Sequence, residues 1–567
     1  MSETLSQSQI IALAHGFRGA KVLLPEGRTT RVFGRRPRRV CVIGAGISGL
    51  VTAKVLLEDG FDPLVFEKDA ALGGVWSPSR TYPGLCANNT RDTYAFSDHP
   101  YPPTAAMFPS AEQVRDYLGS YADRFGLRPR LRFRSEVLRV ARPAGAARGF
   151  VVTVRQDDGQ PATHACDFVA VCNGTFSIPQ VPHVEGLEAF TGRTLHSSEL
   201  TDPGLIDGRR VVVVGAGKSA FDCAAWAARR ARSATLVFRR PPWMVPRYLP
   251  GRVPGDRLVV SRFAEAFLRY HRQGPAERLL HGPGRALVGL FWGGLSRALR
   301  RLLRMPAGLV PARPLPAGVE EIAVVDDFYD LVRAGRIDAR RGEIARFTGG
   351  TTLELTDGTR LDTDLVVFAT GWRQDVSFLH EDLRHLVERD GRYHLYRFIL
   401  PPGVTDLGFV GWNSSIACQL SSEIAAHWLS ACFAGELQLP GTDEMEREIA
   451  RVHRWAADVM PRRSQGYFIG PLLAHHIDEL LHDLGVSRRR TRTALGEYLR
   501  PLWPTRYRGV GTERRRRHAA LVVAPEEIER GEGLAADDLT EGLRRRQRPR
   551  DDGPPPNDPI DDARSAP

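Results

Sequence analysis

The sequence predicts an α/β protein containing two Rossmann-like dinucleotide-binding domains. Three observations carry this. A short, β-branched run ends in the glycine cluster Gly44-Ala45-Gly46-Ile47-Ser48-Gly49. A second such run ends in Gly215-Ala216-Gly217-Lys218-Ser219-Ala220. Each cluster opens a segment of helical apolar spacing that leads to another short apolar run, the order of a βαβ unit with parallel strands.

In chain order, residues 1 to about 35 precede the first strong strand. Arg38 to Ile43 is then a fully buried strand, Ile47 to Glu58 a helix and Pro63 to Phe66 the next strand. Phe150 to Arg155 and Phe168 to Cys172 are strand-like. Arg210 to Val214, Lys218 to Arg229 and Ala234 to Phe238 repeat the strand–helix–strand pattern, and Leu361 to Phe368 is a further buried strand. The domain organisation that follows is an extension (1–35), a discontinuous first nucleotide domain (36–190 with 340–440) and a second (191–339) with a helical insertion at about 250–310. A mostly helical C-terminal extension (441–523) and a tail (524–567) complete it. The tail turns acidic, then basic, then rich in Pro and Asp. Such a composition buries too little apolar surface to order itself, so 540–567 reads as disordered.

Bulk composition narrows the function classes. With 567 residues, 42% of them hydrophobic, the chain can bury a large core. The net charge of +12 is almost all arginine, because lysine occurs only at Lys21, Lys54, Lys68 and Lys218. The arginines are not interleaved with stacking aromatics, so no nucleic-acid partner is expected. The seven cysteines form no CxxC pair, which removes zinc spacing and the dithiol that a disulfide reductase needs; no metal site is expected. Scattered thiols and the lack of a signal-peptide core fit a cytoplasmic protein. The longest apolar run, Ala286 to Leu295, is too short to span a bilayer and reads as a buried helix or channel wall, with peripheral membrane contact the other reading. Nothing in the composition specifies an oligomeric state.

The glycine clusters carry the chemistry. In the first, Gly44 suits the tight turn, Gly46 a close backbone approach to a pyrophosphate, and Gly49 close helix–strand packing. The helix N-terminus offers unpaired N–H groups to phosphate. Glu67, 23 residues after Gly44, stands at the end of the second strand, where a carboxylate bonds ribose hydroxyls and repels a 2′-phosphate. This site therefore suits FAD or NAD. Gly73-Gly74-Val75-Trp76 follows and gives a second close backbone approach, which adds Gly74 and Trp76 to the cofactor-binding set. In the second cluster, Gly215, Gly217, Lys218, Ser219 and Ala220 form the loop, and Arg239-Arg240 occupy the place of the acid. Guanidinium pairs bidentately with phosphate, so the inversion favours NADPH. Two such sites imply hydride transfer between two bound dinucleotides.

Several stretches resemble the class B flavin-dependent monooxygenases, a family that includes flavin-containing monooxygenases and Baeyer–Villiger enzymes. Glu67 followed by GGVW is similar to that family's FAD half. Phe190 to His196 matches its FxGxxxH pattern, with His196 read as a structural tie between domains and Leu200 where the family has an aromatic residue. Tyr82 to Pro100 (YPGLCANNTRDTYAFSDHP) is similar to YxxLxxNxSKxxxxFSDxP, which puts the motif asparagine at Asn88. Asp364 with Ala369-Thr370-Gly371-Trp372 resembles the linker back to the FAD domain, adding Thr370 and Gly371. DLGFVGWN (406–413) adds Asn413, with Trp412 beside it, near the flavin ring. The resemblance covers roughly 38 to 435. It implies a flavoprotein of disulfide-reductase-like architecture with FAD and NADPH as cofactors, and a C4a-hydroperoxyflavin that oxygenates a small organic substrate with O2. Asn88 is its catalytic residue, since an amide stabilises the oxygenated flavin without protonating it, and asparagine rather than aspartate there favours oxygenation at nitrogen or sulfur. Baeyer–Villiger or oxidative decarboxylating chemistry on a carbonyl, with Arg247 stabilising charge, is the alternative enzyme. A non-enzymatic flavin redox sensor or interaction protein is the alternative of another class.

Overall fold

The computed structural model describes residues 38–317, 319, 323–461 and 468–523, with the short strands Lys21–Leu23 and Thr29–Arg31. The chain divides into two compact units, Met1–Arg35 with Arg515–Pro567, and Arg36–Arg514. In the first, Lys21–Leu23 and Thr29–Arg31 pair antiparallel. The tail read as disordered lies outside the described residues.

The second unit contains two five-stranded parallel sheets of one plan. The first runs Leu407–Phe409, Phe168–Val171, Arg39–Ile43, Asp62–Phe66, Leu131–Arg132. The second runs Arg193–His196, Leu365–Phe368, Arg210–Val214, Ser233–Phe238, Asp338–Arg341. In each, the strand entering the glycine cluster is central. A central parallel strand is covered on both faces, and its sequence is accordingly unbroken apolar: Val211, Val212 and Val213 are at most 2% exposed. Each contributes about 1.5–3 kcal/mol through burial. A three-stranded antiparallel sheet accompanies each half: Glu136–Ala141, Phe150–Arg155 and Pro161–Cys166 for the first, Ile344–Phe347, Thr352–Leu355 and Arg360–Asp362 for the second. Here one face is covered and the alternation returns, with Phe150, Val152 and Val154 buried.

Two expectations are corrected. The domain boundary at 340 gave Leu365–Phe368 to the first domain, but this strand sits between Arg193–His196 and Arg210–Val214 in the second sheet. Phe347, Leu353 and Leu355 also share a core with Val212 and Val237. The return to the first domain therefore comes after Gly371. Ala286 to Leu295 is not a buried helix. It lies in the helix Arg285–Leu302, where Trp292, Ser296 and Leu299 are buried while Leu287 and Leu290 are 63% and 68% exposed. The composition of the run hid an amphipathic surface helix, because its outward face is itself apolar.

The helix Cys418–Ala434 is buried along nearly its whole length and packs on the first glycine-cluster helix Ile47–Glu58, with Ser48 Oγ and Ser422 Oγ 3.0 Å apart. Its carboxylate Glu423 accepts the Ser97 backbone N–H at 2.8 Å and the Ser97 hydroxyl. Asp98 pairs with Lys54 of the glycine-cluster helix at 2.8 Å. The FSD triplet at Phe96–Asp98 thus fastens a loop to two core helices. Farther along, Arg397 joins Glu448, Glu479 and Asp483 of the C-terminal helices Thr442–Val459 and Leu473–Asp483.

Burial, and then the neighbouring Asp98, push the Glu423 carboxyl up to about 7. An acid whose pKa is raised on folding holds its proton in the native state over a range where the unfolded chain has lost it. Stability from this group is full below the unfolded value of about 4.5 and is lost as pH rises toward 7. Glu423→Gln is expected to flatten the stability profile between pH 5 and 7. At pH 8 the variant should gain on the order of 1 kcal/mol over the native chain, measured by denaturant unfolding of the FAD-loaded protein.

Candidate active site

The two glycine clusters share one constraint. Gly44 has φ +103°, and a Cβ there would stand 2.8 Å from the carbonyl oxygen of Cys172, which directly follows the adjacent parallel strand. Gly215 has φ +145°, and its Cβ would stand 2.3 Å from the carbonyl oxygen of Ala369, at the same place in the second sheet. A Cβ on Gly49 would fall 1.8 Å from the Gly44 carbonyl oxygen. In the second cluster Ala220 takes that place, its methyl 3.3 Å from the Cβ position of Gly215. A methyl thus stands in the second loop where the first has no room for one, which accounts for GxGxxG in one and GxGxxA in the other.

Both helices start without a side-chain cap. Their N-caps, Gly46 and Gly217, make no capping bond, whereas helix Ala111–Arg124 is closed by a reciprocal Ser110–Gln113 box. The first-turn N–H groups of the two glycine helices therefore have no side-chain acceptor, and the positive dipole end faces the loop. Gly217 has no neighbour within 4 Å of its Cβ position, leaving its backbone open to a phosphate. Gly46 instead faces Gly74, 3.6 Å from its own Cβ position, so the two bare backbones lie against each other.

The polar groups at the strand ends differ in sign. Glu67 is buried, and its two oxygens accept the backbone N–H groups of Ala45 at 2.7 Å and Asp69 at 2.9 Å. Burial raises its pKa against those two bonds. Arg239 and Arg240 are exposed at the matching end of the second sheet, and neither forms an ion pair among the described residues. Lys218 sits in the second loop paired with Asp222 one turn on. Ser219 and Ala220 open the same helix.

The remaining predicted residues fall into two groups. Asn88 is exposed on the loop between Tyr82 and Thr93. Asn413 is buried in the turn before helix Cys418–Ala434, two residues past Gly411, whose Cβ position is 1.9 Å from Ser48 Oγ. That contact sets the turn on the start of the first glycine helix. Thr370 donates its hydroxyl to the Gln180 carbonyl, and the Gly371 carbonyl accepts from His196 Nε2 at 3.1 Å. His196 is buried, which lowers its pKa; its Nδ1 accepts the Ser198 N–H at 3.2 Å. It anchors the linker. Trp76 and Trp412 belong to the core: their indole N–H groups go to Tyr94 and Asn173, each at 3.1 Å. Asp364 closes a strand end by accepting from Arg210, which holds its carboxyl down at about 2.

Sequence reading passed over Asn89, which is 3% exposed with its Nδ2 donor unpartnered. A buried amide donor without an acceptor, next to Asn88, fits a bound ligand that brings one. Two uncapped helix starts, an acid at one strand end and free guanidiniums at the other fit two dinucleotides of unlike charge. Among the described residues, His271, Glu448 and Glu479 bring metal-type ligands together. Arg397 lies within 3.4 Å of both carboxylates, and Arg272 is 2.7 Å from Glu448, so guanidinium supplies the counter-charge there.

Fold and site define a protein with two dinucleotide-type loops of opposite charge at their strand ends. The flavin-binding monooxygenase-like family model matches residues 37–284 and 294–491, and the chain belongs to that family. It is 28% identical to flavin-containing monooxygenase 5 of Oryctolagus cuniculus, over 83% of this chain and 88% of the relative. It is 26% identical to dimethylaniline monooxygenase [N-oxide-forming] 2 of the same species, over 73% and 76%. The structure of S-allyl-L-cysteine S-oxygenase from Allium sativum superposes with a TM-score of 0.55 at 20% identity, covering 90% of this chain and 98% of that one. The protein is thus a flavin monooxygenase that uses FAD and NADPH, and the non-enzymatic reading is set aside.

Gly49→Ala forces a methyl onto the Gly44 carbonyl. The purified variant is expected to carry at least about tenfold less FAD than the native chain, read from the flavin-to-protein absorbance ratio. Equal flavin content would show that the first loop does not hold the cofactor.

Proposed function

We propose that this enzyme oxygenates a small organic substrate at nitrogen or sulfur, through a C4a-hydroperoxyflavin, in the cytoplasm. The observation that carries the reading is Asn88: an exposed amide, in place of an acid, on a loop of the FAD domain that is bonded to the NADPH domain. Relatives named for N-oxide formation and S-oxygenation support it. The bound cofactors supply hydride transfer and oxygen activation.

The chain's own residues bind, orient and exclude water. Gly44, Gly46 and Gly49 with the bare N–H groups of helix Ile47–Glu58 hold the FAD pyrophosphate, Glu67 the ribose hydroxyls, and Gly74 gives the second close approach. Gly215, Gly217, Lys218, Ser219 and Ala220 hold the NADPH pyrophosphate, with Arg239 and Arg240 on its 2′-phosphate. Asn413, Thr370 and Gly371 of the returning chain would complete the hold on FAD. Asn88 and Asn89 present amide donors, which would hydrogen-bond a hydroperoxide without delivering a proton that discharges it. Arg247, the residue that the carbonyl alternative would use, is already engaged. Its nitrogens already meet Ala87 O at 2.5 Å, Cys86 Sγ at 2.8 Å and Asp326 Oδ1 at 2.6 Å. That favours heteroatom oxygenation over the Baeyer–Villiger alternative.

Peripheral contact with an anionic membrane completes the reading. No helix among the described residues is long and apolar enough to cross a bilayer. Leu279, Leu287 and Leu290 are nonetheless 63–68% exposed, with Arg278, Arg285 and Arg297 exposed around them.

Rapid mixing of NADPH-reduced enzyme with oxygen tests the chemistry. A long-lived oxygenated flavin is expected, yielding N- or S-oxide on adding amine or sulfide; esters from ketones with no heteroatom product would overturn the reading. Asn88→Ala is expected to shorten that species at least about tenfold. Replacing Arg239 and Arg240 by Ala should raise KM for NADPH about tenfold or more and leave NADH nearly unaffected. Leu287→Asp with Leu290→Asp should abolish co-sedimentation with anionic vesicles and leave turnover of soluble substrates intact.

A further inference from the structure

The loop from Tyr82 to Thr93 belongs to the FAD domain, yet side chains of the second domain and its insertion hold it. Tyr82 donates its hydroxyl to Asp222 at 2.9 Å. Arg247 donates to the Ala87 carbonyl at 2.5 Å and to Cys86 Sγ at 2.8 Å. Asp256 accepts three bonds, from the Thr90 backbone N–H (2.8 Å), the Thr90 hydroxyl (2.7 Å) and the Thr93 hydroxyl (2.6 Å). The loop is thereby pinned one residue before Asn88 and two residues after it. Ala87, Asn89 and Thr90 are buried, and Asn88 alone of the four is exposed.

Arg247 is built for this task. Its side chain is 7% exposed, fixed from the far side by Asp326 at 2.6 Å, and lies over the Phe108 ring at 5.0 Å. A guanidinium so held has little rotamer freedom left to lose, and its bonds to a buried carbonyl are charge-assisted. Asp326 is 55% exposed and stays solvated if the arginine is removed, whereas the buried Ala87 carbonyl would be stripped of a donor. The loss therefore falls on the loop.

We propose that Arg247 and Asp256 are positioning residues for oxygenation: reaching across from the NADPH side, they fix where Asn88 stands on the FAD side. This rests on the heteroatom-oxygenase reading above. It makes the geometry of one domain's reactive edge a property of the docked pair.

The test uses the full-length, FAD-loaded enzyme with Arg247→Ala, Arg247→Lys, Asp256→Asn and Asn88→Ala. Hydrogen exchange is followed on the peptide spanning 82–93, and hydrogen peroxide released is measured per NADPH oxidised with a sulfide present. In Arg247→Ala, exchange across 82–93 is expected to rise about tenfold while the central strands of both sheets stay protected. Peroxide release should rise severalfold, more than the rate of flavin reduction by NADPH changes, with partial recovery in Arg247→Lys. Asp256→Asn should do the same from the other side of Asn88. Asn88→Ala should release peroxide without altering exchange. Unchanged exchange in both the arginine and the aspartate variants would overturn the proposal, as would faster exchange with native peroxide release. If Arg247→Ala fails to hold FAD, Arg247→Lys and Asp256→Asn decide. A native enzyme that oxygenates no amine or sulfide would refute the functional reading instead, and the exchange data would still judge whether the two residues hold the loop.

Discussion

The structure turns on the missing side chains at two positions. At Gly44 and Gly215 the chain leaves a central strand and passes so close to the end of the neighbouring strand that a Cβ would meet a carbonyl oxygen. The positive φ there turns the backbone so that a helix starts at once and its first N–H groups stay uncapped. Strand order, helix direction and an anion-ready end all follow from that close approach. Because the same contact occurs in both sheets, two cofactors can be held by one plan carried out twice.

What distinguishes the halves lies at the ends of the strands that follow. Glu67 is buried and bonded to the loop it serves, while Arg239 and Arg240 stand exposed with their charge available. On the proposed reading, the acid beside one loop repels the extra phosphate that the two guanidiniums beside the other attract. Around this frame the ion pairs do different work. Lys54 with Asp98 and Glu423 with Ser97 fasten the FSD triplet to the core, and the Arg397 cluster gathers the C-terminal helices.

Much of the fold was legible because it is local. The first glycine helix has the predicted bounds, Ile47–Glu58, and the second differs by one residue, since glycine turns and apolar periodicity act within a few residues of where they are read. The misreadings concern relations across the chain. Ala286 to Leu295 has the composition of a buried helix, and only its neighbours decide which face is covered. Leu365–Phe368 is a buried strand in either domain; its hydrogen-bond partners place it in the second sheet. Asn89 passed unnoticed beside Asn88 because burial and an orphaned donor leave no trace in sequence.

By itself, then, the sequence determined the fold class, the two dinucleotide loops and the sign of charge at each, because those depend on short-range sterics and on residue type. Tertiary structure alone decided which residues meet. Arg247, Asp256 and Asp222 lie some 130 to 170 positions beyond the loop they hold. An arginine's five donors pair equally well with any carbonyl or carboxylate, so no pattern in the chain marks Ala87 as its partner. Only the docking of two sheets, each folded on its own glycine turn, brings those donors to the residue before Asn88.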